Sequence, residues 1–463
     1  MSAFDLIVLG SGPGGYVAAI RGAQLGMKVA IVEKEALGGV CLNWGCIPTK
    51  ALLKSAQVYD YLREAESYGL VAKKTGVEFP KVIRRSREVA DSMSKGVQFL
   101  MRKNNITVIE GYGKVKPGKR IEVTDKQGSI REYKGQHIII ATGSRAKHLQ
   151  SLSNDDQRIF DYRRAMNLET LPASMVIVGA GAIGCEFAYF YNAMGVEVTL
   201  IEFFNRIVPN EDEEVSRALE KSFVKAGIKV LCTSRVIMSK AHKDGVKLII
   251  STPKGEEKIE AETVLSAAGI VPNTENIGLE YTGILTENGK VKVDEFYRTS
   301  TEGFYAIGDL VNGPALAHVA SAEGILCVEK IAGHHPEPLD YGNIPSCIYT
   351  QPEIASVGLT EQKAKEAGYD ILVGKFPFSA SGKARAEGTS EGFVKVIFDK
   401  KYGELLGAHM IGANVTEMIA EIVVARKLET TGHQLLKAVH PHPTMSEAIM
   451  EATAAAYGEV IHL

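Results

Sequence analysis

A strand–turn–helix–strand unit occurs twice in this chain, and it constrains the fold more than any other feature. The first copy runs from Phe4 to Glu33 and the second from Met175 to Glu202. Each copy has an apolar strand, a glycine-rich turn, a helical stretch and a second apolar strand that ends in an acid. The acid lies 23 positions after the first glycine in both copies. This order is typical of a doubly wound parallel sheet, so the sequence predicts an α/β fold with two Rossmann-like domains.

Both turns have the spacing Gly-x-Gly-x-x-Gly, which gives each glycine a separate task. The first allows a tight turn, the second lets a pyrophosphate approach the backbone, and the third packs the helix against the strand. The acid accepts a hydrogen bond from a ribose hydroxyl. Two unrelated glycine turns are the alternative, but the ordered recurrence favours two dinucleotide sites. The predicted binding residues are Gly10, Gly12, Gly15 and Glu33 in the first copy and Gly179, Gly181, Gly184 and Glu202 in the second.

Each copy closes with an apolar strand that ends in small residues, at 137–144 and 263–269. Small side chains let the backbone pass close to a nucleotide, and a simple tight turn is the alternative. A third such strand, 303–309, ends in an acid that could bind a polyhydroxy chain or form a turn. The residues predicted to line a nucleotide site at these strand ends are Ala141, Thr142, Gly143, Gly269 and Asp309.

The second acid also bears on which nucleotide binds. Glu202 would repel the 2′-phosphate of NADP, and the next two residues, Phe203 and Phe204, offer no cation to hold it. Arg206 is the nearest positive charge in the sequence. The sequence therefore favours NAD over NADP at the second site.

Two cysteines, Cys41 and Cys46, follow the first copy, with Cys41 eight residues after Glu33. Pro48 predicts a helix that begins near Cys46, because proline is tolerated in the first turn of a helix. Cys41 is then predicted in the loop before it, able to fold back to disulfide distance. A helix N-terminus lowers the pKa of a thiol, which favours a redox pair. Two ordinary core cysteines are the alternative.

Length and composition bound the remaining possibilities. The 463 residues predict three or four domains, and a net charge of −2 argues against nucleic acid or an anionic membrane as a general partner. No apolar run approaches membrane-helix length, and a strand at residue 4 leaves no room for a signal peptide. The other four cysteines are expected to be buried reduced thiols, so a cytoplasmic location is predicted; they are Cys185, Cys232, Cys327 and Cys347.

The chain changes character after Tyr341. The runs 392–398 and 405–411 alternate as antiparallel strands do, and the runs 416–428 and 446–457 read as helices. This predicts a C-terminal α+β domain appended to the two doubly wound ones.

A histidine–carboxylate pair lies just before the last helical run. Thiol–disulfide exchange needs a proton acceptor, and His442 is suited to that near neutral pH, with Glu447 able to orient its ring. A metal-ligand pair with His440 is one alternative, although no further cluster completes a metal site. Surface histidines in a proline-bounded turn are the other.

Together these motifs resemble the FAD-dependent pyridine nucleotide–disulfide oxidoreductases, over essentially the whole chain. The cysteine segment 38–50 and the segment 442–447 carry the resemblance most specifically. Within the family, the chain is most similar to members that oxidise dihydrolipoamide. The small departures are Trp44, where a smaller residue is usual, Ala182, where a larger one is frequent, Pro441 between the two histidines, and Ile270-Val271, where a basic pair is frequent.

The resemblance implies FAD along the first copy and NAD along the second. On the FAD side, Glu33 would hold the adenosine ribose, Asp309 the ribityl chain and Lys50 the flavin region, with Gly113 and Ala317 nearby. The residues implied at the NAD site are Glu202 on the ribose, Glu186 near the nicotinamide, and Val236 and Gly269 along the wall.

The same resemblance implies unequal roles for the two thiols. Cys46 would face the flavin as a thiolate, Cys41 would exchange with the substrate, and His442 with Glu447 would be the base. The C-terminal domain would form a homodimer in which this histidine reaches the other subunit's cysteines. The implied partners are lipoyl-bearing carrier proteins of 2-oxo acid dehydrogenase or glycine cleavage complexes.

The expected domains are an FAD-binding domain at 1–148, an NAD-binding domain at 149–270, a central domain at 271–340 and an interface domain at 341–463. An NADP-dependent enzyme of the glutathione reductase type is the nearest alternative function, and Glu202 argues against it. A non-catalytic subunit of a larger complex is the alternative from another class.

Overall fold

The computed structural model describes residues 3–153 and 157–463. Residues 1–2, at the start of the first expected domain, and 154–156, within the second, lie outside the described residues. The described part contains no helix that is both long and apolar enough to cross a membrane.

The first sheet contains the first glycine unit. Its parallel part has the order β3-β2-β1-β6-β19, and β4 and β5 form an antiparallel extension on the first half of β6. The strands are β1 (Ala3–Leu9), β2 (Val29–Glu33), β3 (Thr107–Glu110), β4 (Tyr112–Lys116), β5 (Arg120–Thr124), β6 (Ile130–Ile140) and β19 (Phe304–Ala306). The helices are α1 (Pro13–Gln24), α2 (Gly39–Trp44), α3 (Cys46–Arg63), α4 (Phe79–Lys103) and α8 (Ala317–Ile331).

The second glycine unit forms a separate parallel sheet in the order β11-β10-β9-β15-β8, with an antiparallel three-stranded sheet beside it. The parallel strands are β8 (Ile159–Phe160), β9 (Ser174–Val178), β10 (Glu197–Ile201), β11 (Lys229–Leu231) and β15 (Thr263–Ser266). The antiparallel strands are β12 (Arg235–His242), β13 (Gly245–Thr252) and β14 (Gly255–Ala261). The helices are α5 (Tyr162–Ala165), α6 (Ala182–Ala193) and α7 (Glu213–Lys225).

Two short antiparallel pairs lie outside these sheets. One is β7 (Ser144–Ala146) with β16 (Ile270–Pro272), and the other is β17 (Thr286–Glu287) with β18 (Lys290–Val291). The first pair joins the chain segments that enter and leave the second unit, so it fixes that unit beside the first sheet.

The C-terminal part is an antiparallel sheet in the order β20-β21-β24-β23-β22, flanked by helices. The strands are β20 (Ser346–Ile348), β21 (Glu353–Gly358), β22 (Ile371–Pro377), β23 (Phe393–Asp399) and β24 (Leu405–Gly412). The helices are α9 (Glu361–Glu366), α10 (Gly382–Glu387), α11 (Val415–Lys427), α12 (Gly432–Lys437) and α13 (Glu447–Tyr457). The predicted α/β fold class and the antiparallel character of this part are confirmed.

A buried lysine links the second unit to the C-terminal sheet. Lys395 in β23 is 2% exposed, and its Nζ lies 3.1 Å from Asp212, 2.8 Å from Glu214 and 2.7 Å from Glu361. A lysine is buried in this way only when it is paired, because an isolated buried charge is strongly disfavoured. The ion cluster therefore holds the start of α7 against β23.

Candidate active site

The first acid supports the glycine turn of its own unit. One carboxylate oxygen of Glu33 accepts hydrogen bonds from the backbone N–H of Ser11, at 3.0 Å, and from its hydroxyl, at 2.6 Å. The other oxygen accepts from the N–H of Glu35 at 2.9 Å. Glu33 thus ties the residue after the first glycine to the end of β2.

The second acid has the same arrangement. One oxygen of Glu202 accepts from the N–H of Ala180 at 2.6 Å, and the other accepts from the N–H of Phe204 at 2.9 Å. These amides occupy the same positions in the second unit as those of Ser11 and Glu35 in the first. The duplicated sequence therefore produces a duplicated carboxylate geometry.

The glycines of each unit divide into those required by the fold and those that face open space. Gly179 has a φ of +103°, and a Cβ at Gly184 would lie 1.9 Å from its carbonyl oxygen. A Cβ at Gly181 would meet no atom of the described residues within 4 Å. Gly12 of the first unit is open in the same way. The open middle glycines leave the room that a pyrophosphate needs to approach the backbone, so both turns fit a dinucleotide.

One cleft of about 1460 Å³ runs past both glycine units. Its size exceeds the roughly 300–1,000 Å³ of an ordinary small-ligand pocket. The predicted site residues that line it are Gly10, Gly12, Gly15, Glu33, Cys41, Cys46, Lys50, Gly113, Ala141, Thr142, Gly143, Gly179, Gly181, Glu186, Glu202, Val236, Gly269, Asp309 and Ala317. Gly184, His442 and Glu447 are not among the lining residues.

The sequence pointed to Arg206 as the positive charge nearest to Glu202, and the structure adds a second arginine. The guanidinium of Arg206 donates to the carbonyl oxygen of Pro209 at 3.1 Å. Arg235, which the sequence did not single out, lines the cleft beside Val236. Arg235 is far from the second glycine turn in the sequence, so no local pattern identifies it.

The prediction that Cys41 lies in a loop is wrong. Gly38 and Gly39 have φ angles of +99° and +60°, which turn the chain sharply into α2, and Cys41 lies within this short helix. Gly45 then breaks the helical path, and α3 begins at Cys46 as predicted. The glycine break between the short helix α2 and the longer helix α3 brings the thiols together, so no loop is needed.

The two thiols have different acidities. The pKa of Cys46 is lowered to about 7, and the main cause is a hydrogen bond from the Cys41 thiol. The positive charge of Lys50 also lowers this pKa, whereas desolvation raises it. The same hydrogen bond, together with burial, raises the pKa of Cys41. All six cysteines are free thiols. When the pair is reduced, Cys46 is therefore the thiol that ionises first, and Cys41 stays protonated.

Lys50 connects three parts of the chain at the cleft. Its Nζ lies 3.0 Å from both carboxylate oxygens of Glu186 in α6 and 4.3 Å from the ring centroid of Tyr349. The N–H of Tyr349 donates to Glu186 at 3.0 Å. The sequence missed Tyr349, because nothing near it indicates a position beside Lys50.

A third cysteine of the cleft was expected to be an ordinary buried thiol. Cys347 in β20 is half-buried and lines the cleft, so it is not simply a core residue. Desolvation is the largest cause that raises its pKa to about 11. It is therefore a neutral thiol at physiological pH.

The turn after β19 is held by two residues that the sequence did not single out. The hydroxyl of Ser144 donates to Asp309, and the N–H of Gly308 donates to buried Glu323 at 2.6 Å. Desolvation is the largest cause that raises the pKa of Glu323 to about 7. Both partners are distant in sequence, so only the fold reveals them.

The predicted histidine–carboxylate pair is present. His442 Nδ1 lies 2.8 Å from Glu447 Oε1, and the N–H of Thr444 donates to Glu447 Oε2 at 2.8 Å. Desolvation acts to raise the pKa of Glu447, but the hydrogen bonds from the Thr444 amide and the His442 ring outweigh it and hold this pKa below its usual value. The His442 side chain is 79% exposed. His442 and Glu447 do not line the cleft that contains Cys41 and Cys46 of the same chain.

Two family models match most of the chain. The model described as pyridine nucleotide-disulphide oxidoreductase matches residues 4–324, and the model of that family's dimerisation domain matches residues 344–453. The chain belongs to the pyridine nucleotide-disulphide oxidoreductase family. The dimerisation-domain match supports a homodimer.

Several relatives in this family share one name. The dihydrolipoyl dehydrogenase of Zymomonas mobilis is 48% identical over 99% of both chains, and that of Bacillus subtilis is 45% identical over 99% of both. The mitochondrial dihydrolipoyl dehydrogenase 2 of Arabidopsis thaliana is 40% identical over 99% of this chain and 91% of its own.

Two solved structures share the fold of this chain. The crystal structure of LpdA from Mycobacterium tuberculosis superimposes with a TM-score of 0.91 at 27% identity and covers 98% of this chain and 99% of its own. The Cu(II) complex of the flavoprotein disulfide reductase RclA from Escherichia coli has a TM-score of 0.89 at 25% identity, over 98% and 99%. The fold of this oxidoreductase is therefore that of flavoprotein disulfide reductases.

Proposed function

We propose that this chain is a dihydrolipoyl dehydrogenase, which oxidises dihydrolipoamide to lipoamide and reduces NAD⁺ to NADH. The observation that carries the proposal is the asymmetric pair Cys41–Cys46 in one cleft with two dinucleotide-binding units. Relatives named dihydrolipoyl dehydrogenase that match nearly the full chain support the same activity.

FAD and NAD are the cofactors of this activity. The lining of the first unit fits FAD: Glu33 would hold the ribose, and Asp309 and Lys50 line the same cleft. The lining of the second unit fits NAD: Glu202 would hold the ribose, and Glu186 lines the same cleft. When bound, the flavin supplies two-electron transfer between the thiol pair and the nicotinamide.

Thiol exchange accounts for the atoms and the electrons on the protein side. His442 takes the proton of the first substrate thiol, the sulfur of that thiol attacks Cys41 of the oxidised pair, the Cys41–Cys46 bond breaks, and Cys46 leaves as a thiolate. The second substrate thiol then attacks the mixed disulfide, which closes the lipoamide disulfide, and the displaced Cys41 sulfur takes up the proton of that thiol. The substrate has then lost two electrons and two protons: the reduced pair holds the electrons and one proton as one thiolate and one thiol, and His442 holds the other proton.

The base is proposed to come from the second subunit. His442 is exposed and does not line the cleft of its own chain, and the segment that carries it lies within the match to the dimerisation domain. In the homodimer, His442 and Glu447 of one subunit would complete the cysteine site of the other.

The finer organisation is proposed with it. The domains are 1–148 for FAD, 149–270 for NAD, 271–340 as the central domain and 341–463 as the interface domain. The partners are lipoyl-bearing carrier proteins of 2-oxo acid dehydrogenase or glycine cleavage complexes, and the location is the cytoplasm.

A steady-state assay of the purified protein tests the activity. Dihydrolipoamide with NAD⁺ is expected to give a kcat/KM at least about 100-fold higher than with NADP⁺, because the buried Glu202 carboxylate disfavours a 2′-phosphate. NADPH with glutathione disulfide is the matched control reaction. Preference for NADPH and glutathione disulfide would replace the proposal with the glutathione reductase-type alternative, and Arg235 would then be the first residue to substitute.

Two alanine substitutions in the second glycine turn separate binding from folding. Gly181→Ala is expected to leave the thermal midpoint unchanged and to raise the KM for NAD⁺ roughly tenfold or more, because its methyl group enters open space where the pyrophosphate approaches. Gly184→Ala is expected to lower the free energy of unfolding by about 2–3 kcal/mol, because its Cβ meets the Gly179 carbonyl. Calorimetry and NAD⁺ titration measure both effects. An unchanged KM in Gly181→Ala would place the pyrophosphate elsewhere.

A further inference from the structure

A second histidine–carboxylate pair lies two residues before the proposed base. His440 Nε2 lies 2.8 Å from Oε1 of Glu421 in α11, and the His440 side chain is only 7% exposed, whereas that of His442 is 79% exposed. The proposed mechanism does not use this pair.

Both ring nitrogens of His440 face acceptors. Its Nδ1 lies 3.0 Å from the carbonyl oxygen of Ala438, which can only accept, and its Nε2 faces the Glu421 carboxylate. The carboxylate of Glu421 is the largest cause that raises the pKa of His440, and Glu447 adds to it. The two acceptors therefore favour the imidazolium form, which donates at both nitrogens, with α11 as its anchor.

The segment between the two histidines is stiff. Pro441 and Pro443 fix their φ angles on either side of His442. The hydroxyl of Thr444 donates to the carbonyl oxygen of Pro441 at 2.8 Å, which closes the turn. A rigid segment transmits the position of one end to the other, so the place of His440 determines where His442 lies.

We propose that His440 and Glu421 are a positioning pair that holds the His442 segment against α11 so that His442 stays in reach of its substrate. The proposal rests on His442 as the base of the proposed function. The titratable groups that act on His440 are Glu421 from α11 and Glu447 from α13, with His442 beside it on the same segment. Glu447 orients the His442 ring, and Glu421 fixes the backbone from which the ring projects.

The test compares two reactions of the FAD-loaded dimer. In His440→Gln and in Glu421→Gln, kcat for dihydrolipoamide with NAD⁺ is expected to fall roughly ten- to a hundredfold, because a misplacement of about 1 Å is costly. NADH oxidation by ferricyanide, which needs no thiol exchange, is expected to stay within twofold. The double variant is expected to lose no more than the worse single variant, since both remove the same anchor. His242→Gln, in the 2.8 Å ion pair with Glu260, is the matched control outside the cleft.

The outcomes separate this proposal from the proposed function. Dihydrolipoamide turnover within twofold of wild type in both single variants would overturn the positioning pair. So would an equal loss in both reactions, because that indicates general damage to the fold. His442→Gln is assayed in parallel. Wild-type turnover in that variant would remove His442 as the base, and the positioning pair would fall with it.

Discussion

Cys41→Ser is expected to lower dihydrolipoamide oxidation by roughly a thousandfold or more, because a serine oxygen cannot form the mixed disulfide that starts the exchange. NADH oxidation by ferricyanide is expected to stay within a fewfold of wild type, since the cofactor sites are intact. Steady-state rates of both reactions on the same preparation measure the contrast. Full lipoamide turnover in this variant would remove Cys41 from its proposed role.

The partner cysteine supplies a distinguishing spectrum. Cys41→Ser keeps Cys46, which is the more acidic thiol of the pair. A long-wavelength absorption band from the Cys46 thiolate beside oxidised flavin is therefore expected to persist in this variant. The same band is expected to be absent from Cys46→Ser. Cys232→Ser is the matched control, because Cys232 is half-buried and does not line the cleft. It is expected to keep both the wild-type rate and the wild-type spectrum.

His442→Gln is expected to lower kcat for dihydrolipoamide by about 10²–10⁴-fold, the usual contribution of a general base. Glu447→Gln is expected to lower kcat less, roughly tenfold. Glu447 only orients the His442 ring through the 2.8 Å contact to Nδ1, so this substitution removes no reacting group. Rapid-mixing measurements of the thiol-exchange step and steady-state kcat check both values. His335→Gln, at an exposed position, is the control and should behave as wild type. A rise in KM for dihydrolipoamide with an unchanged kcat would indicate that His442 binds the substrate instead.

A mixed dimer tests where His442 acts. When a Cys41→Ser subunit pairs with a His442→Gln subunit, one site of the hybrid combines an intact cysteine pair with an intact histidine only if the histidine crosses to the other subunit. The expected result is about half of wild-type activity per purified hybrid. An inactive hybrid would show that each site is built within one chain.

Local motifs predicted the parts of this protein whose geometry is local. The Gly179–Gly184 turn, the start of α3 at Cys46 and the contact between His442 and Glu447 all depend on residues within a few positions of one another. Fixed spacing and a few backbone preferences determine such features, so the sequence alone was sufficient for them.

The parts that were missed depend on long-range contacts or on unusual backbone angles. Lys50 meets Glu186 across 136 positions, and Tyr349 joins them from the C-terminal sheet. The pairing of His440 with Glu421 also needs the packing of α11 against the proline-bounded turn. The helical setting of Cys41 depends on two consecutive glycines at positive φ, whose effect only the folded backbone displays. No local pattern contains this information.

The two backbone contacts of Glu202 have a consequence for changing the nucleotide preference of the enzyme. Replacing this glutamate would remove the proposed ribose acceptor and, at the same time, leave the amides of Ala180 and Phe204 without their acceptor. A redesign toward NADP⁺ that exchanges this side chain alone would therefore loosen the turn that has to receive the new phosphate. A workable variant must first give those two amides another acceptor, so selectivity and rigidity have to be engineered together at this turn.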